Sequence, residues 1–169
     1  RGLNFYGGVL GLDTAANVVP GSGLHGDAKF ADQLLFPDPD SLRVIPWLPA
    51  TASVVCLGYW TADQPQRAAP RWVFAQLVAA ANRLGYDVMM GHEYEYYLLN
   101  AETRQRLYEG AHIFHTVRNH YAPFLDGLLP QLRAFGLDII THNCEYAGSQ
   151  FETNYGPALN IAAADKAFA

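Results

Sequence analysis

The chain has 169 residues, half of them hydrophobic and 16% charged, with 16 acidic side chains against 11 basic ones and a net charge of −5. This composition excludes a disordered chain, and the scattered Lys and Arg give no basic stripe for nucleic acid. Two cysteines, Cys56 and Cys144, make no disulfide framework and carry no zinc spacing. No apolar run is long enough to predict a membrane span or a signal peptide, so the expected setting is reduced and cytoplasmic.

Residues 1–40 are rich in Gly, Asp and Pro, with one apolar run, Gly8 to Leu12, that predicts a strand. Pro37-Asp38-Pro39-Asp40 predicts a tight turn. Pro46-Trp47-Leu48-Pro49 predicts a stiff extended segment, because proline fixes its own φ and restricts the residue before it. Ala52 to Tyr59 reads as a buried strand. A helix is predicted from Pro70 to Leu84, with Pro70 in the first turn, Gly85 as the stop, and Val73, Phe74, Leu77, Val78, Ala81 and Leu84 on one face. Asp87 to Leu99 reads as one long strand. A second helix is expected from Asn119 to Phe135, with Tyr121, Phe124, Leu125, Leu128, Leu129, Leu132 and Phe135 buried and Pro130 kinking or dividing it. Leu137 to His142 is another strand, and a third helix is expected near Pro157. The order predicts an α+β or mixed α/β piece with no repeat and no dividing linker. The chain opens at Arg1 without methionine and stops at Ala169 inside an amphipathic pattern. It is therefore expected to be an internal piece of a longer polypeptide.

Two short clusters place four glutamates in apolar, strand-like sequence. One is Gly91-His92-Glu93-Tyr94-Glu95-Tyr96-Tyr97; the other runs from His142 through Glu145 to Glu152. Burying an ionised carboxylate is costly without compensation. A divalent cation is the simplest compensation for several converging carboxylates, because hard cations prefer oxygen ligands. Strand parity puts Glu93 and Glu95 on one face, about 6.5–7 Å apart, with Tyr94 and Tyr96 on the other. The same alternation also describes a strand with its polar face in water. Glu145 ends one strand and Glu152 begins the next, with Gly148 permitting a reversal between them. Gln150 and Asn154 add neutral polar groups there, and the same residues also fit a polar loop with exposed glutamates. His92 and His142 are either ligands or ordinary hydrogen-bonded side chains, and Cys144 reads as a small buried residue. No Ser-His-Asp constellation or Gly-rich phosphate loop is present, and Gly21-Ser22-Gly23 alone is a weak signal.

These motifs together resemble the catalytic domain of the glutamine synthetase family. Gly91 to Tyr97 fit a Gly-x-Glu-x-Glu-aromatic-aromatic motif. His142, Glu145 and Gly148-Ser149-Gln150-Phe151-Glu152 fit the second glutamate motif, with Ser149 shifting the spacing. Phe36 to Trp47 fit an upstream segment that ends in Pro-Trp, and Pro70-Arg71 and Ala163-Ala164-Asp165 also fit. The resemblance covers roughly residues 8–169.

The resemblance implies that antiparallel strands with flanking helices form a funnel holding two ions, Mg²⁺ or Mn²⁺. Glu95, Glu145 and Glu152 match ligands of the first ion, and Glu93 matches a ligand of the second. It also implies that the chain is the N-terminal portion of one catalytic domain. The small N-terminal domain, the C-terminal half, the remaining ligands and the catalytic arginines would then lie outside it. The implied partners are ATP, glutamate and either ammonium or an organic amine, with no nucleic acid or membrane, in a homo-oligomer of two stacked rings. The family's ammonium-using members carry an Asp-Gly-Ser-Ser segment. This chain has Pro20-Gly21-Ser22-Gly23, then Gly26-Asp27, and an expected tyrosine is replaced around Gly110-Ala111-His112. The first departure resembles the family's γ-glutamyl-amine branch, whose members use polyamines or other amines, and both departures speak against ammonium as the nucleophile. Glutamine synthetase proper and a catalytically silent structural or regulatory relative are the alternatives.

Overall fold

The computed structural model describes residues 2–24, 31–110 and 121–169. Gly26-Asp27, Ala111-His112 and the expected start of the second helix at Asn119 lie outside these residues. The chain divides into two compact units, Arg1–Leu42 with Ala52–Val88, and Arg43–Thr51 with Met89–Ala169. The sequence predicts no dividing linker, and the crossings between units carry none of the Gly/Ser-rich composition that would signal one.

The first unit is built on an antiparallel sheet of β1 (Leu3–Tyr6), β2 (Asp32–Pro37), β3 (Cys56–Thr61) and β4 (Gln64–Pro65), in that spatial order. Gly8 to Leu12 is not a strand: Gly7–Gly11 form a 3-10 turn. Gly7 explains the tight geometry, since a Cβ there would lie 2.4 Å from the Trp60 ring while its N–H bonds the Ala31 carbonyl at 3.0 Å. Ala52 to Tyr59 is not one buried strand either. It breaks after Ser53, and Cys56 is exposed. At the break the Val55 N–H donates to Ser41 Oγ at 2.8 Å, so the chain leaves the strand to close on the turn after Asp38. That turn is the expected one, with Asp38 accepting from the Asp40 N–H at 3.2 Å.

Helix α1 (Pro70–Arg83) starts where predicted and ends one residue earlier, with Gly85 at φ 85° after it. The Tyr86 N–H bonds the Ala81 carbonyl at 3.1 Å, satisfying an end carbonyl that the helix leaves free. Its predicted apolar face is only partly buried: Val78 is covered, whereas Val73, Leu77 and Leu84 are exposed. Arg71 in its first turn pairs with Asp38 at 2.6 Å.

In the second unit Pro46 to Pro49 form a turn, not an extended segment. The Leu48 N–H bonds the Ile45 carbonyl at 3.1 Å, and Pro46 occupies the position where a fixed φ favours a β-turn. The long strand expected from Asp87 to Leu99 is two strands, β5 (Met89–Met90) and β6 (Glu93–Tyr97), parted at Gly91-His92. Helix α2 (Ala122–Ala134) runs through Pro130 without dividing. It is followed by β7 (Ile139–Cys144), β8 (Gln150–Tyr155), β9 (Ala158–Leu159) and α3 (Asn160–Phe168), which starts three residues after Pro157. Strand β9 pairs with β5, and the main sheet has the order β6-β8-β7, all antiparallel.

Alternation along β8 divides this sheet into two unlike faces. Phe151 points into a core with Leu125 of α2 and Cys144, and Tyr96, Leu98, Tyr108 and Tyr121 pack around it. Phe151 and Leu125 are both 0% exposed. Gln150, Glu152 and Asn154 take the opposite face. No helix among the described residues is long and apolar enough to cross a membrane.

Candidate metal centre

Strand pairing decides where the carboxylates meet. Glu152 of the central strand lies directly opposite Glu95 on β6 and opposite Asn143 on β7, and Asn154 lies opposite Glu93 and Thr141. Five acidic or amide positions from three strands therefore share one face. Carboxylate oxygens of Glu93, Glu95 and Glu152 all lie within 4.8 Å of one another. Glu145 stands one residue beyond β7, with its carboxyl near enough to that of Glu152 for each to affect the other's protonation. Glu93 and Glu95 are exposed, whereas Glu145 and Glu152 are each 8% exposed. The family resemblance groups Glu145 with Glu95 and Glu152 at one ion and Glu93 at a second; Glu93, Glu95 and Glu152 are the three whose carboxylate oxygens lie within 4.8 Å of one another.

The loop between Glu145 and Glu152 is held at several points. The Glu145 N–H bonds the Gln150 carbonyl at 2.9 Å, and the Gln150 N–H bonds the Ala147 carbonyl at 3.1 Å. The residue with left-handed backbone is Ser149, φ 63°, rather than Gly148. Gly148 serves close approach instead: a Cβ there would sit 2.6 Å from the Tyr108 carbonyl oxygen. Ser149 is fully buried, and its Oγ accepts the Leu107 and Tyr108 N–H groups at 2.6 and 3.1 Å. This clasp has no short motif, so the sequence alone does not reveal it.

Neither histidine is among the converging Glu93, Glu95 and Glu152. His142 lies on the apolar face, stacked 5.7 Å from Phe151, with its Nε2 2.6 Å from the Tyr96 hydroxyl. His92 Nε2 is 2.9 Å from the Ala163 carbonyl on α3, and its ring joins Gly91, Glu93, Thr141, Asn154 and Tyr155 along an open groove. Cys144 is buried, as its sequence context predicts.

Three of the four carboxylates are contacted by neutral donors. Asn143 Nδ2 donates to Glu145 Oε1 at 3.1 Å, and the Tyr146 N–H donates to its Oε2 at 3.2 Å. Gln150 Nε2 donates to Glu95, and Asn154 Nδ2 donates to Glu152. Sequence reasoning finds Gln150 and Asn154 by their position beside Glu152. It misses Asn143, whose role depends on the β7–β8 pairing.

Mutual repulsion remains. The Glu152 carboxylate pushes the Glu93 carboxyl above its ordinary range, with desolvation and the charge of Glu95 adding. The hydrogen bond to Glu152 raises the Glu145 carboxyl, burial adds to that, and the Tyr146 N–H works the other way. Like charges gathered at this spacing favour the proton, or another cation, at the site. The donor set fits a hard divalent ion. Ligand oxygens on opposite sides of one such ion are about 4–5 Å apart, given metal–oxygen distances near 2.0–2.6 Å. Glu93, Glu95, Glu145 and Glu152 are the residues that would hold it.

The chain is similar in sequence and fold to known proteins. The chain is 28% identical over 168 residues to a glutamate–isopropylamine ligase from Pseudomonas sp., covering 91% of this chain and 37% of that protein. It is 31% identical over 87 residues to a glutamine synthetase of Methanosarcina mazei, covering 48% of this chain and 20% of that protein. Thus the chain spans well under half the length of these curated relatives. A solved structure described as a novel glutamine synthase homolog superposes with a TM-score of 0.81 at 24% identity, over 99% of this chain and 39% of that one, which establishes the fold. Residues 67–169 match the family model described as glutamine synthetase, catalytic domain, and the chain belongs to that family.

Proposed function

We propose that the complete protein is an ATP-dependent ligase that joins glutamate to an organic amine through its γ-carboxyl group. The observation carrying this reading is the single sheet face on which Glu93, Glu95 and Glu152 converge, with the Glu145 carboxyl beside that of Glu152. A divalent ion bound there, Mg²⁺ or Mn²⁺, would offset charge on phosphoryl oxygens. The four glutamates hold and orient that charge. The γ-carboxylate of glutamate attacks the γ-phosphorus of ATP, giving γ-glutamyl phosphate and ADP. The amine nitrogen then attacks the acyl carbon, phosphate leaves with the C–O electron pair, and the amine gives up a proton. Within the longer protein this chain supplies the N-terminal portion of the catalytic domain, and further ligands and arginines follow Ala169. The assembly is a cytoplasmic homo-oligomer of two stacked rings; a stable, active monomer by mass measurement would overturn that part.

Preference for an organic amine rests on two supports. Pro20-Gly21-Ser22-Gly23 offers no carboxylate to attract ammonium, and a relative matched over 91% of this chain is an isopropylamine ligase. Ammonium is the second reading, favoured by the 31% identity to a glutamine synthetase. The test is phosphate release by the full-length protein with ATP, Mg²⁺ and glutamate, comparing ammonium with mono-, di- and polyamines. Turnover with an amine well above that with ammonium supports the proposal. Turnover with ammonium alone returns the assignment to glutamine synthetase, and no turnover with metal bound points to the silent relative. Glu145→Ala should abolish turnover while leaving the fold intact.

A further inference from the structure

Three carboxamides stand among the four glutamates, and each donates to a different one: Asn143 to Glu145, Gln150 to Glu95, and Asn154 to Glu152. Their positions follow from the sheet. Gln150 and Asn154 lie two residues before and after Glu152 on β8, so they share its face, and Asn143 lies opposite Glu152 on β7.

Each amide is also fixed by a second partner independent of the carboxylates. The Ala147 N–H donates to Gln150 Oε1 at 3.0 Å, which turns Gln150 Nε2 toward Glu95. Asn154 Nδ2 also donates to Thr141 Oγ1 at 2.9 Å. Asn143 Nδ2 also donates to the Cys144 carbonyl at 3.3 Å. An amide oxygen cannot donate and a backbone carbonyl can only accept, so the second bonds of Gln150 and Asn143 decide which end of each amide faces its carboxylate, while at Asn154 the carboxylate of Glu152 itself selects the amide nitrogen. The donors are therefore set in place by the strands before any cation arrives.

We infer that Asn143, Gln150 and Asn154 are positioning residues which aim the carboxylates of Glu145, Glu95 and Glu152 and thereby set the cation affinity of this site. The inference rests on the metal reading proposed above. A carboxylate oxygen with an N–H on one lone pair keeps its remaining lone pairs for an ion. The amide also lowers the repulsion among the glutamates without adding charge. Groups that orient ligands in this way are commonly worth about 10–100-fold in metal affinity.

The test is Mn²⁺ binding to the full-length protein, measured by calorimetry and by the electron paramagnetic resonance of bound Mn²⁺, alongside denaturant unfolding without metal. Asn143→Ala, Gln150→Ala and Asn154→Ala should each raise the Kd about tenfold and broaden the bound-ion signal. Asn100→Ala is the control, because the Asn100 carboxamide is engaged in its own turn with the Glu102 and Thr103 N–H groups; its Kd should stay within twofold of wild type. A purely structural role would lower unfolding stability and leave the Kd of the folded variant unchanged. Variants that stay folded with Kd within twofold of wild type overturn the inference while the metal reading stands. Failure of the wild-type protein to bind Mn²⁺ overturns the metal reading and this inference with it.

Discussion

Glu95 and Glu152 face each other directly across the antiparallel β6–β8 pair. Like charges at that register are destabilising by about 0.2–1 kcal/mol. The sheet therefore carries a local penalty at the place where a cation is proposed to bind, and a cation would turn that repulsion into shared attraction. Glu152→Gln keeps the acceptor oxygen used by Asn154 but removes the charge. It should raise the metal-free unfolding free energy by about 0.5 kcal/mol and reduce the gain in stability on adding Mg²⁺. Denaturant titrations with and without Mg²⁺ check both; a variant less stable than wild type without metal would count against the repulsion.

Phe151 anchors the opposite face of the same strand. It is 0% exposed and packs against Tyr96, Tyr108, Tyr121 and His142. Phe151→Ala should lose about 3–5 kcal/mol, since the surrounding rings are braced by their own hydrogen bonds and cannot collapse into the space. Equilibrium unfolding measures the loss; a change below about 1 kcal/mol would mean the aromatic layer repacks freely.

Gly148→Ala tests the clasp that holds the loop of the second glutamate cluster. The new Cβ would meet two backbone atoms, the Tyr108 oxygen at 2.6 Å and Glu109 Cα at 3.0 Å. Neither can move without pulling on the Ser149 hydroxyl that binds the Leu107 and Tyr108 N–H groups. The expected loss is about 1–3 kcal/mol, and hydrogen exchange should quicken at Leu107 and Tyr108. Unchanged exchange there would show that the loop is not held by this contact.

Asp138 and Lys166 give a pH-dependent term outside the carboxylate cluster. The Lys166 ammonium holds the Asp138 carboxyl below its ordinary range, and Lys166 also donates to the Gly156 carbonyl at 2.7 Å. A depressed carboxyl pKa stabilises the fold above the unfolded value of 3.8. That contribution disappears as pH falls through the lower folded value. Because Asp138 is 62% exposed, solvent screening limits it to about 0.5–1 kcal/mol. Asp138→Asn should therefore lower stability at pH 7, and the difference from wild type should shrink toward zero as pH falls through the folded value, below 3.8. A difference that stays constant across this range would assign the effect to packing.

Spacing alone determined much of this protein. The motifs around Glu93-Glu95 and Glu145-Glu152 point to the glutamine synthetase family, and helical periodicity with Pro and Gly signals bounds α1 to within a residue. Strand parity puts Glu93 and Glu95 on one face, because alternation is a local property of extended backbone. Local patterns fail where a distant group chooses between two local forms. Gly8 to Leu12 has an apolar strand pattern, yet Trp60 and the Ala31 carbonyl draw the preceding glycine into a 3-10 turn. Ala52 to Tyr59 breaks because Ser41, fourteen residues away, takes the Val55 N–H. The same holds at the candidate site. His142 sits in the second glutamate motif, but the β7–β8 pairing turns it to the aromatic face, while that pairing brings Asn143 opposite Glu152. Which of two neighbouring polar residues reaches the carboxylates is a matter of register between strands, and register is fixed by burying Phe151 and Cys144 on one side of the sheet.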